Sequence, residues 1–259
     1  MSAERLSNLF FELSNENRLE ILWLIQENPH RLTQISRKLA VTVQEASRHL
    51  SRLAEGKLIH KSSDGLFHLT SYGRYVINQL SGLQVLLQHR EYFASHDLSS
   101  IPSEFVDRIG ELKGCSFTDD IMLAFSLAEN LIGQAQEYIW IMGNQVLMST
   151  LPLLEAAVKR GAAFRLILPE ALTPPPGFKP LPTTPRLVER RTLPHVDVFM
   201  TISEKEARVG FLAADGKLDP SAFGSKDLAA HKWCRDLYLH YWEKAEVGQP
   251  RGYPTPSAP

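Results

Sequence analysis

Residues 33–70 combine two short amphipathic helical patterns with a hairpin pattern, and few folds accommodate that order of elements. Thr33 is a preferred helix-capping residue, and a helix is predicted over residues 34–39. After a connection of three residues, a second helix is predicted over residues 43–55. Its apolar stripe is narrow and consists of Ala46, Leu50 and Leu53.

A β-hairpin is predicted directly after the second helix. Gly56 ends that helix, and residues 58–61 and 66–70 form two strand patterns around the turn signal Asp64-Gly65. Two short helices joined by a tight turn form a helix-turn-helix, and a hairpin that follows the second helix forms a wing. The sequence therefore predicts an α+β winged helix-turn-helix domain, assigned to residues 1–75.

Charge in this region indicates a nucleic-acid partner. The whole chain carries a formal charge of −1, but residues 30–61 hold seven Lys and Arg against two acidic residues. A local basic patch of this kind is typical of a contact with double-stranded DNA. The candidate DNA-binding residues are Thr33, Arg37, Lys38, Gln44, Ser47, Arg48, Ser51, Arg52 and Lys61.

The second helix is predicted to enter the major groove, which admits one α-helix. Gln44 and Arg48 are the predicted base readers, because Gln pairs well with adenine and Arg with guanine. Five of the other candidates are predicted to contact phosphates: Thr33, Arg37, Lys38, Ser47 and Arg52. Lys61 in the wing is predicted to contact either the DNA backbone or the adjacent minor groove. The alternative is a winged-helix protein–protein adaptor that lacks specific DNA binding.

The same segments resemble a known class of regulators. Residues 13–22 resemble the opening helix of archaeal and ArsR-type winged-helix regulators, and residues 46–53 with Leu58-Ile59 resemble their recognition helix and wing entry. The resemblance implies sequence-specific transcription regulation. Metal sensing is not carried over, since no cysteine precedes Cys115, and no metal site is predicted.

Residues 76–100 are predicted to form a linker and dimerisation helix. The helical pattern of residues 71–94 is too apolar for an isolated solvated helix. Packing against the winged helix would explain this, but a two-fold operator requires two recognition helices about one DNA turn apart. A homodimer is therefore expected.

Residues 101–247 are predicted to form an α/β domain with a mixed, mostly parallel sheet. Strand patterns at residues 138–142 and 164–168 flank a helix over residues 147–160 that Gly161 closes. The proline-rich segment 169–185 is predicted to be a loop at the end of a strand, where α/β sheets bind ligands.

This domain is expected to sense an unidentified small-molecule effector or a partner, without a cofactor. Polar side chains near the ends of predicted strands are the candidate ligand contacts: Asn144, Arg165, Arg190, His195 and Asp197. Cys234 lies in an aromatic helical pattern typical of a core thiol, and a redox role for it is left open.

Residues 233–245 resemble the C-terminal helix of an archaeal regulator family with a methanogenesis-regulator-type domain, whose α/β core is similar to phospholipase D. Phospholipase D chemistry requires His-x-Lys with an Asp four residues further on. The nearest match, His195-Val196-Asp197, lacks the lysine, so the chain is not expected to be an enzyme.

Two distant cysteines, the absence of a signal-peptide pattern and the absence of an apolar run of about 18 residues predict a cytoplasmic protein with no membrane contact. The proline-rich residues 248–259 are predicted to be a disordered tail.

Overall fold

The computed structural model describes residues 3–179, 187–216 and 219–253. The chain divides into two compact units, Met1–Leu83 and Gln84–Pro259. We call them the first unit and the second unit. The predicted order, a winged helix followed by an α/β domain, is confirmed.

The first unit contains a three-stranded antiparallel sheet, in the order β1-β3-β2, and five helices, the last of which continues beyond it. Its elements are α1 (Ala3–Leu13), α2 (Glu16–Glu27), β1 (His30–Arg31), α3 (Leu32–Lys38), α4 (Val43–Glu55), β2 (Ile59–Lys61), β3 (Leu66–Leu69) and α5 (Ser71–Gln88). Strand β1 has no counterpart in the sequence prediction, because two residues are too short to show a period.

A single apolar core holds these elements together. The predicted stripe of α4 is buried in it, and Ile21, Ile35 and Leu58 are fully buried beside it. Asn15 caps α2, since its side chain accepts a hydrogen bond from the Arg18 backbone N–H at 3.1 Å. Because the apolar stripe of α4 is buried in this core, the opposite face of α4 lies in solvent.

One helix end differs from the prediction and another agrees with it. Thr33 lies inside the first turn of α3, and the capping position is held by Arg31, whose backbone N–H donates to the Gln34 side chain at 2.8 Å. Gly56 follows α4 with φ −70°, and the left-handed residue is Lys57, with φ 59°. Gly56 therefore ends α4 as predicted, and the residue after it takes the left-handed conformation.

The start of helix α5 packs on the backbone of Lys57 and Leu58, which connect α4 to the wing. The Thr70 hydroxyl donates to the Lys57 carbonyl at 2.6 Å and accepts from the Gly73 N–H at 2.8 Å. A Cβ atom at Gly73 would lie 2.0 Å from the Leu58 carbonyl oxygen. Only glycine therefore allows this approach of helix and chain.

The predicted helix 71–94 is divided at His89. Helix α5 ends at Gln88, and α6 (Arg90–Ser95) follows. Ile77 is buried in the core of the first unit, while Val85 is buried in the core of the second unit. The two ends of α5 therefore belong to different units.

The second unit is built on an eight-stranded sheet in the order β11-β7-β6-β5-β8-β9-β10-β4. Its strands are β4 (Ser116–Thr118), β5 (Tyr138–Met142), β6 (Ala163–Pro169), β7 (Val188–Leu193), β8 (Val198–Ser203), β9 (Ala207–Phe211), β10 (Ala222–Ser225) and β11 (Glu246–Val247). Its further helices are α7 (Ser103–Val106), α8 (Ile121–Gln134), α9 (Leu151–Lys159) and α10 (Leu228–Lys244), with short 3-10 turns at Ile109–Gly114 and Met148–Thr150.

The sheet is mixed, as predicted, but parallel pairing is confined to β5–β6 and β6–β7. The pairs β11–β7, β5–β8, β8–β9, β9–β10 and β10–β4 are antiparallel, whereas the sequence predicts a mostly parallel sheet. The prediction of parallel pairing rests on one β-helix-β unit, residues 138–168. A hairpin of residues 196–202 with residues 207–212 is predicted as well and is found as β8–β9, while the short strands β4 and β10 add further antiparallel pairs.

The two faces of this sheet are covered differently. Helix α10 packs on β8 and β9, and the side chains that share its face include Ile167, Met200 and Ile202. Helices α8 and α9 lie on the other face, where Ile139 and Phe164 are buried and Ile141 and Leu166 are half-buried. We refer to these as the α10 face and the α8/α9 face.

Two predicted segments extend outside the described residues. In the segment 169–185, residues 169–179 are described, and the Phe178 ring contacts the Tyr253 ring with centroids 4.6 Å apart. In the segment 248–259, predicted to be disordered, residues 248–253 are described. There Tyr253 is buried, and the Arg251 N–H donates to the Glu170 carbonyl at 3.0 Å.

Candidate nucleic-acid interface

All nine candidate DNA-binding residues are exposed on the first unit. They lie on α3 (Thr33, Arg37, Lys38), on α4 (Gln44, Ser47, Arg48, Ser51, Arg52) and at the end of β2 (Lys61). Since the stripe of α4 is buried, the five residues of α4 point away from the core. The fold therefore brings the predicted residues together on two helices and one wing strand.

A capping box fixes the N-terminus of α4. The Thr42 hydroxyl accepts from the Glu45 N–H at 3.2 Å, and the Glu45 carboxylate accepts from the Thr42 N–H at 3.0 Å. The hydrogen bond from the Thr42 backbone, followed by one that the Thr42 hydroxyl donates to the same carboxylate at 2.9 Å, lowers the pKa of Glu45. A defined N-terminus matters here, because the first turns of a recognition helix are the part that reaches base edges.

Gln44 and Arg48 are exposed and one helical turn apart on α4. Residues at this spacing lie on one face of a helix. Ser47 and Ser51 are exposed between and beyond them. This row presents amides, hydroxyls and one guanidinium, which are the donors and acceptors that read base edges and phosphates.

The structure gives Arg52 a protein partner. Its Nε donates to the Glu12 carboxylate on α1 at 3.0 Å, and its guanidinium lies 5.1 Å from the centroid of the Phe11 ring. The hydrogen bond from Arg52 is the largest cause that lowers the pKa of Glu12. Arg52 thus differs from Arg48, because Glu12 already neutralises part of its charge.

Glu12 also contacts a second arginine. Arg18 is buried, lies 3.3 Å from the Glu12 carboxylate and donates to the carbonyls of Phe11 and Glu12 at 2.6 Å each. Carbonyls at a helix C-terminus have no partner within the helix, and Arg18 supplies one to the end of α1. Glu12 therefore links α1, α2 and α4.

The wing carries one candidate cation and a pair of histidines. Lys61 is exposed, and its ammonium lies 5.7 Å from the centroid of the Phe67 ring. His60 and His68 are cross-strand partners whose rings stack with centroids 5.4 Å apart. At the tip, Gly65 has φ +84°, which is the left-handed conformation that the predicted turn requires.

His49 adds no positive charge to this surface at neutral pH. Burial is the first cause that lowers its pKa, and the charges of Arg18 and Arg48 act in the same direction. The positive potential of α4 therefore comes from its arginines alone.

Several residues that shape this surface were not among the sequence candidates. Glu12 and Arg18 are 6 residues apart in sequence, and nothing in the local pattern shows that α1 turns back onto α2. The box Thr42-x-x-Glu45, in contrast, is a readable capping motif.

The predicted ligand contacts of the second unit do not form one cluster. Arg165 is on the α10 face, 2.9 Å from Glu189 and 5.0 Å from the centroid of the Trp242 ring. Arg190 lies on the α8/α9 face, because its register partner is Leu166. His195 is exposed in the loop that follows β7, and Asp197 precedes β8.

Asn144 follows β5 at the edge of the sheet. Its Oδ1 atom is buried and has no hydrogen-bond partner in the part of the chain that the structure describes. Its chain neighbours Gly143 and Gln145 line a cavity of the second unit, as Arg190 does. Of the five predicted ligand contacts, Arg190 and Asn144 are therefore near one common cavity.

Both cysteines are free thiols. Burial raises the pKa of Cys115 to about 11, and complete burial raises that of Cys234 well above its ordinary value. A protonated thiol is a poor nucleophile, which disfavours a redox role. Over residues 3–179, 187–216 and 219–253, no group of His, Cys, Asp and Glu has the arrangement of a metal site.

None of the described helices has both the length and the apolar character needed to cross a membrane.

Residues 13–61 match the model of a family described as a helix-turn-helix domain. No curated protein matches the chain. Among solved structures, an archaeal chromatin protein, TrmBL2, described as showing a novel mode of DNA binding, is similar with a TM-score of 0.39 and 14% identity. The match covers 95% of this chain and 100% of that one.

Two further similar structures cover about half of this chain. NucT from Helicobacter pylori has a TM-score of 0.41 and 11% identity over 52% of this chain and 98% of its own. Nuc from Salmonella typhimurium, a phospholipase D family member, has a TM-score of 0.35 and 15% identity, and the match covers 48% of this chain and 90% of that one.

The family match shows that residues 13–61 form a helix-turn-helix domain, and all nine candidate DNA-binding residues lie within it.

Proposed function

We propose that this chain is a sequence-specific, DNA-binding transcription regulator of the ArsR-like winged-helix type. The observation that carries the proposal is the exposed row of α4, with Gln44 and Arg48 one turn apart on a helix whose opposite face is buried. A helix of this size fits the major groove, and Arg and Gln make bidentate contacts with guanine and adenine.

The neighbouring cations supply affinity in this proposal. Arg37 and Lys38 are exposed at the end of α3, and Lys61 is exposed on the wing. Contacts of such residues with phosphates release condensed counterions, so the logarithm of the binding constant falls linearly with the logarithm of salt concentration. Thr33, Ser47 and Ser51 are proposed as further phosphate contacts, whereas Arg52 is proposed to orient α4 through Glu12.

The regulator is proposed to act as a homodimer through α5. Five apolar residues of this helix are exposed and fall within a stripe about 120° wide at helical spacing: Tyr72, Tyr75, Leu83, Leu86 and Leu87. Tyr75 is 70% exposed and Leu87 is 74% exposed. Apolar side chains at this density on one face are typical of a helix that packs against a partner.

A two-fold dimer would place two copies of α4 on successive half-sites, one helical turn of DNA apart. Light scattering at micromolar concentration tests this point, because the proposal expects twice the chain mass. Replacing Leu87 with Glu should shift the protein to the monomer, and the exposed Leu228→Glu on α10 is the matched control. A monomeric wild-type protein would remove the dimer from the proposal.

The second unit is proposed to sense a small molecule and to have no catalytic role. The cavity beside Arg190 and Gly143 supports sensing. The sequence lacks the His-x-Lys arrangement of phospholipase D chemistry, which supports the absence of catalysis.

Binding to a selected duplex tests the central claim. After enrichment of bound sequences from a random pool, Arg48→Ala should weaken binding to the best duplex by about 10- to 100-fold and relax the preference at one base pair. Arg90→Ala is the control, since Arg90 is an exposed arginine outside the helix-turn-helix domain. A protein with no duplex affinity at any salt concentration would instead be an adaptor that binds proteins.

A further inference from the structure

The α8/α9 face of the second unit is incompletely filled. A cavity of about 160 Å³ lies between this face and helices α8 and α9. Ile141, Leu166 and Phe199 reach it from the sheet, and Phe125 and Ala128 reach it from α8. All five residues are only half-buried, although they lie between the sheet and the helices that cover it.

The α10 face shows that half-burial is not a general property of this sheet. Ile167 is the chain neighbour of Leu166, and Val198 is the chain neighbour of Phe199, yet both are at most 1% exposed on the opposite face. Interiors of proteins are normally packed without voids larger than a water molecule. The α8/α9 face therefore has room that the α10 face lacks.

The arginines that line this cavity already interact with other groups of the protein. Arg208 is buried, and its guanidinium lies 3.6 Å from the Glu206 carboxylate and donates to the Thr118 hydroxyl at 3.5 Å. Arg190 also lines the cavity and has interactions of its own within the chain. An anionic ligand would have to compete with these interactions, so the arginines do not select for an anion.

The carboxylate that lines the cavity is paired as well. Asp219 accepts a hydrogen bond from the Ser221 backbone N–H at 2.8 Å and lies 3.0 Å from His96 Nε2. A cationic ligand would therefore compete with His96 for this carboxylate. Because an ion that loses its water without gaining a partner is strongly disfavoured in a protein interior, the cavity favours a neutral ligand.

Aromatic side chains determine the chemistry of the remaining wall. Phe125 lies on α8, Phe164 on β6, Phe199 on β8 and Phe178 in the segment that follows β6. Aliphatic side chains fill the space between the rings, among them Ala128, Ile132, Ile141, Leu151, Leu154 and Leu166. Cavities with apolar walls favour apolar occupants, and one of about 150 Å³ accommodates a benzene ring. Aromatic rings also make edge-to-face contacts with one another, beyond the gain from their apolar area.

We propose that this cavity binds one neutral aromatic molecule of single-ring size. The proposal rests on the sensing role proposed above and names the ligand class of that site. The size follows from the volume, and the neutrality follows from the pairing of the charged side chains within the protein. The aromatic preference follows from the four phenylalanines of the wall.

Asp219 also connects the cavity to the end of the linker. Its partner His96 directly follows α6 and forms a β-bridge with Ala213. The Ala214 N–H donates to the carbonyl of Ser95, the last residue of α6, at 2.8 Å. A ligand that shifts Asp219 therefore acts on the segment that follows α5 and α6.

Calorimetric titration of the full chain tests the ligand class. The probes are toluene, its aliphatic counterpart methylcyclohexane, and its charged counterparts benzoate and benzylammonium. We expect toluene to bind about threefold more tightly than methylcyclohexane and at least about tenfold more tightly than either ion. Equal binding of toluene and an ion would overturn the neutrality, and equal binding of toluene and methylcyclohexane would overturn the aromatic preference. Absence of binding by all four probes would overturn the whole proposal.

Two variants locate the site. Ala128→Phe fills the cavity and should weaken toluene binding at least about tenfold, whereas Ala156→Phe, at an exposed alanine of α9, should not. Leu166→Ala enlarges the cavity and should strengthen the binding of naphthalene at least about tenfold, whereas Leu228→Ala, at an exposed position of α10, should not. Unchanged toluene binding by Ala128→Phe would overturn the location. If Ala128→Phe fails to fold, unchanged naphthalene binding by Leu166→Ala would overturn it instead.

Duplex affinity separates this proposal from the proposed function. Toluene should change the affinity for the selected duplex in the wild type and not in Ala128→Phe. Binding of toluene without any effect on duplex affinity would refute the sensing role and leave the ligand class standing. Duplex binding that is intact in a protein that ignores toluene would refute the ligand class and leave DNA recognition standing.

Discussion

The two units place their candidate functional groups in opposite environments. In the first unit, the candidates are polar or basic and lie on the outside of a helix whose other face is buried. In the second unit, the candidate site is apolar and lies inside, on the less densely packed face of a sheet. The first arrangement suits a long polyanion, and the second suits a molecule that can be enclosed.

Because one candidate site is exposed and polar and the other is enclosed and apolar, different measurements report on the two units. Contacts with a polyanion depend on salt concentration and cost little stability when they are removed, because the side chains are already solvated. Contacts inside a sheet depend on packing, so their removal affects the free energy of unfolding.

The sharpest test compares two neighbours on β6. Ile167 is fully buried on the α10 face, and Ile167→Ala should lower the free energy of unfolding by about 4 kcal/mol. Leu166 is half-buried at the cavity, and Leu166→Ala should cost only about half as much, since less of its surface leaves a packed environment. Urea denaturation followed by tryptophan fluorescence measures both. Equal losses would mean that the two faces are packed alike.

Gly73→Ala should be the most damaging single change in the first unit outside its core. The added Cβ would lie 2.0 Å from the Leu58 carbonyl, so α5 must move away from the junction of α4 and the wing. We expect a loss of about 3 kcal/mol, typical of overpacking that shifts backbone. Hydrogen exchange should show the loss of protection in the first unit while the sheet of the second unit keeps its protection.

Gly133→Ala is the matched control, because a Cβ atom at Gly133 on α8 would have no neighbour within 4 Å. It should leave both units intact or stabilise α8 slightly, as alanine is the better helix former. A Gly73→Ala protein as stable as the wild type would show that α5 does not need its close approach to Leu58.

Glu12→Gln tests the link between α1, α2 and α4. Hydrogen bonding from Arg52 lowers the pKa of Glu12 in the folded state below its ordinary value of 4.5, and the charge of Arg18 adds to this effect. A lowered folded-state pKa stabilises the protein above the unfolded pKa, and this stabilisation disappears as pH falls through the folded pKa. At pH 7 the variant should lose about 1–2 kcal/mol.

The difference between wild type and Glu12→Gln should therefore shrink when denaturation is repeated below pH 4. Glu4→Gln, at an exposed position of the same helix, should behave like the wild type at both pH values. A difference that stays constant with pH would show that Glu12 acts through packing and not through its charge.

The sequence predicts the first unit more fully than the second for physical reasons. Helical period, the Asp64-Gly65 turn and the charge of residues 30–61 are local properties, and they locate α4, the wing and the exposed row. The pairing of Arg52 with Glu12 is not local, since 40 residues separate them. The proposed role of Arg52 in positioning α4 can therefore be inferred only from the structure and not from the sequence.

The second unit depends mainly on long-range pairing. The strand over residues 138–142 is visible in the sequence, and its parallel partner β6 follows from one connection. Antiparallel pairing of β5 with β8, and of β10 with β4 across about 100 residues, leaves no periodic trace. The cavity is still less predictable, because it results from incomplete packing of α8 and α9 on the sheet.

The smallest predicted effect has the opposite sign and concerns the turn between α3 and α4. Ala40 has φ 55°, and the hydrogen bonds from Ala40 N–H to Arg37 and from Val41 N–H to Ser36 close α3 in a Schellman motif. The left-handed conformation costs alanine about 1 kcal/mol, whereas glycine adopts it freely. Ala40→Gly should therefore stabilise the first unit by up to about 1 kcal/mol, less the entropy that glycine loses on folding.

Duplex affinity is the second measurement on Ala40→Gly. The turn positions α4 relative to α3, and relief of strain at Ala40 leaves the exposed row of α4 unchanged, so affinity for the selected duplex should stay within about twofold. Gly56→Ala is a useful comparison, because Gly56 has φ −70° and alanine fits there. Weaker duplex binding by a more stable Ala40→Gly protein would indicate that recognition depends on the strained turn, and the functional surface of the first unit would then extend beyond its exposed side chains.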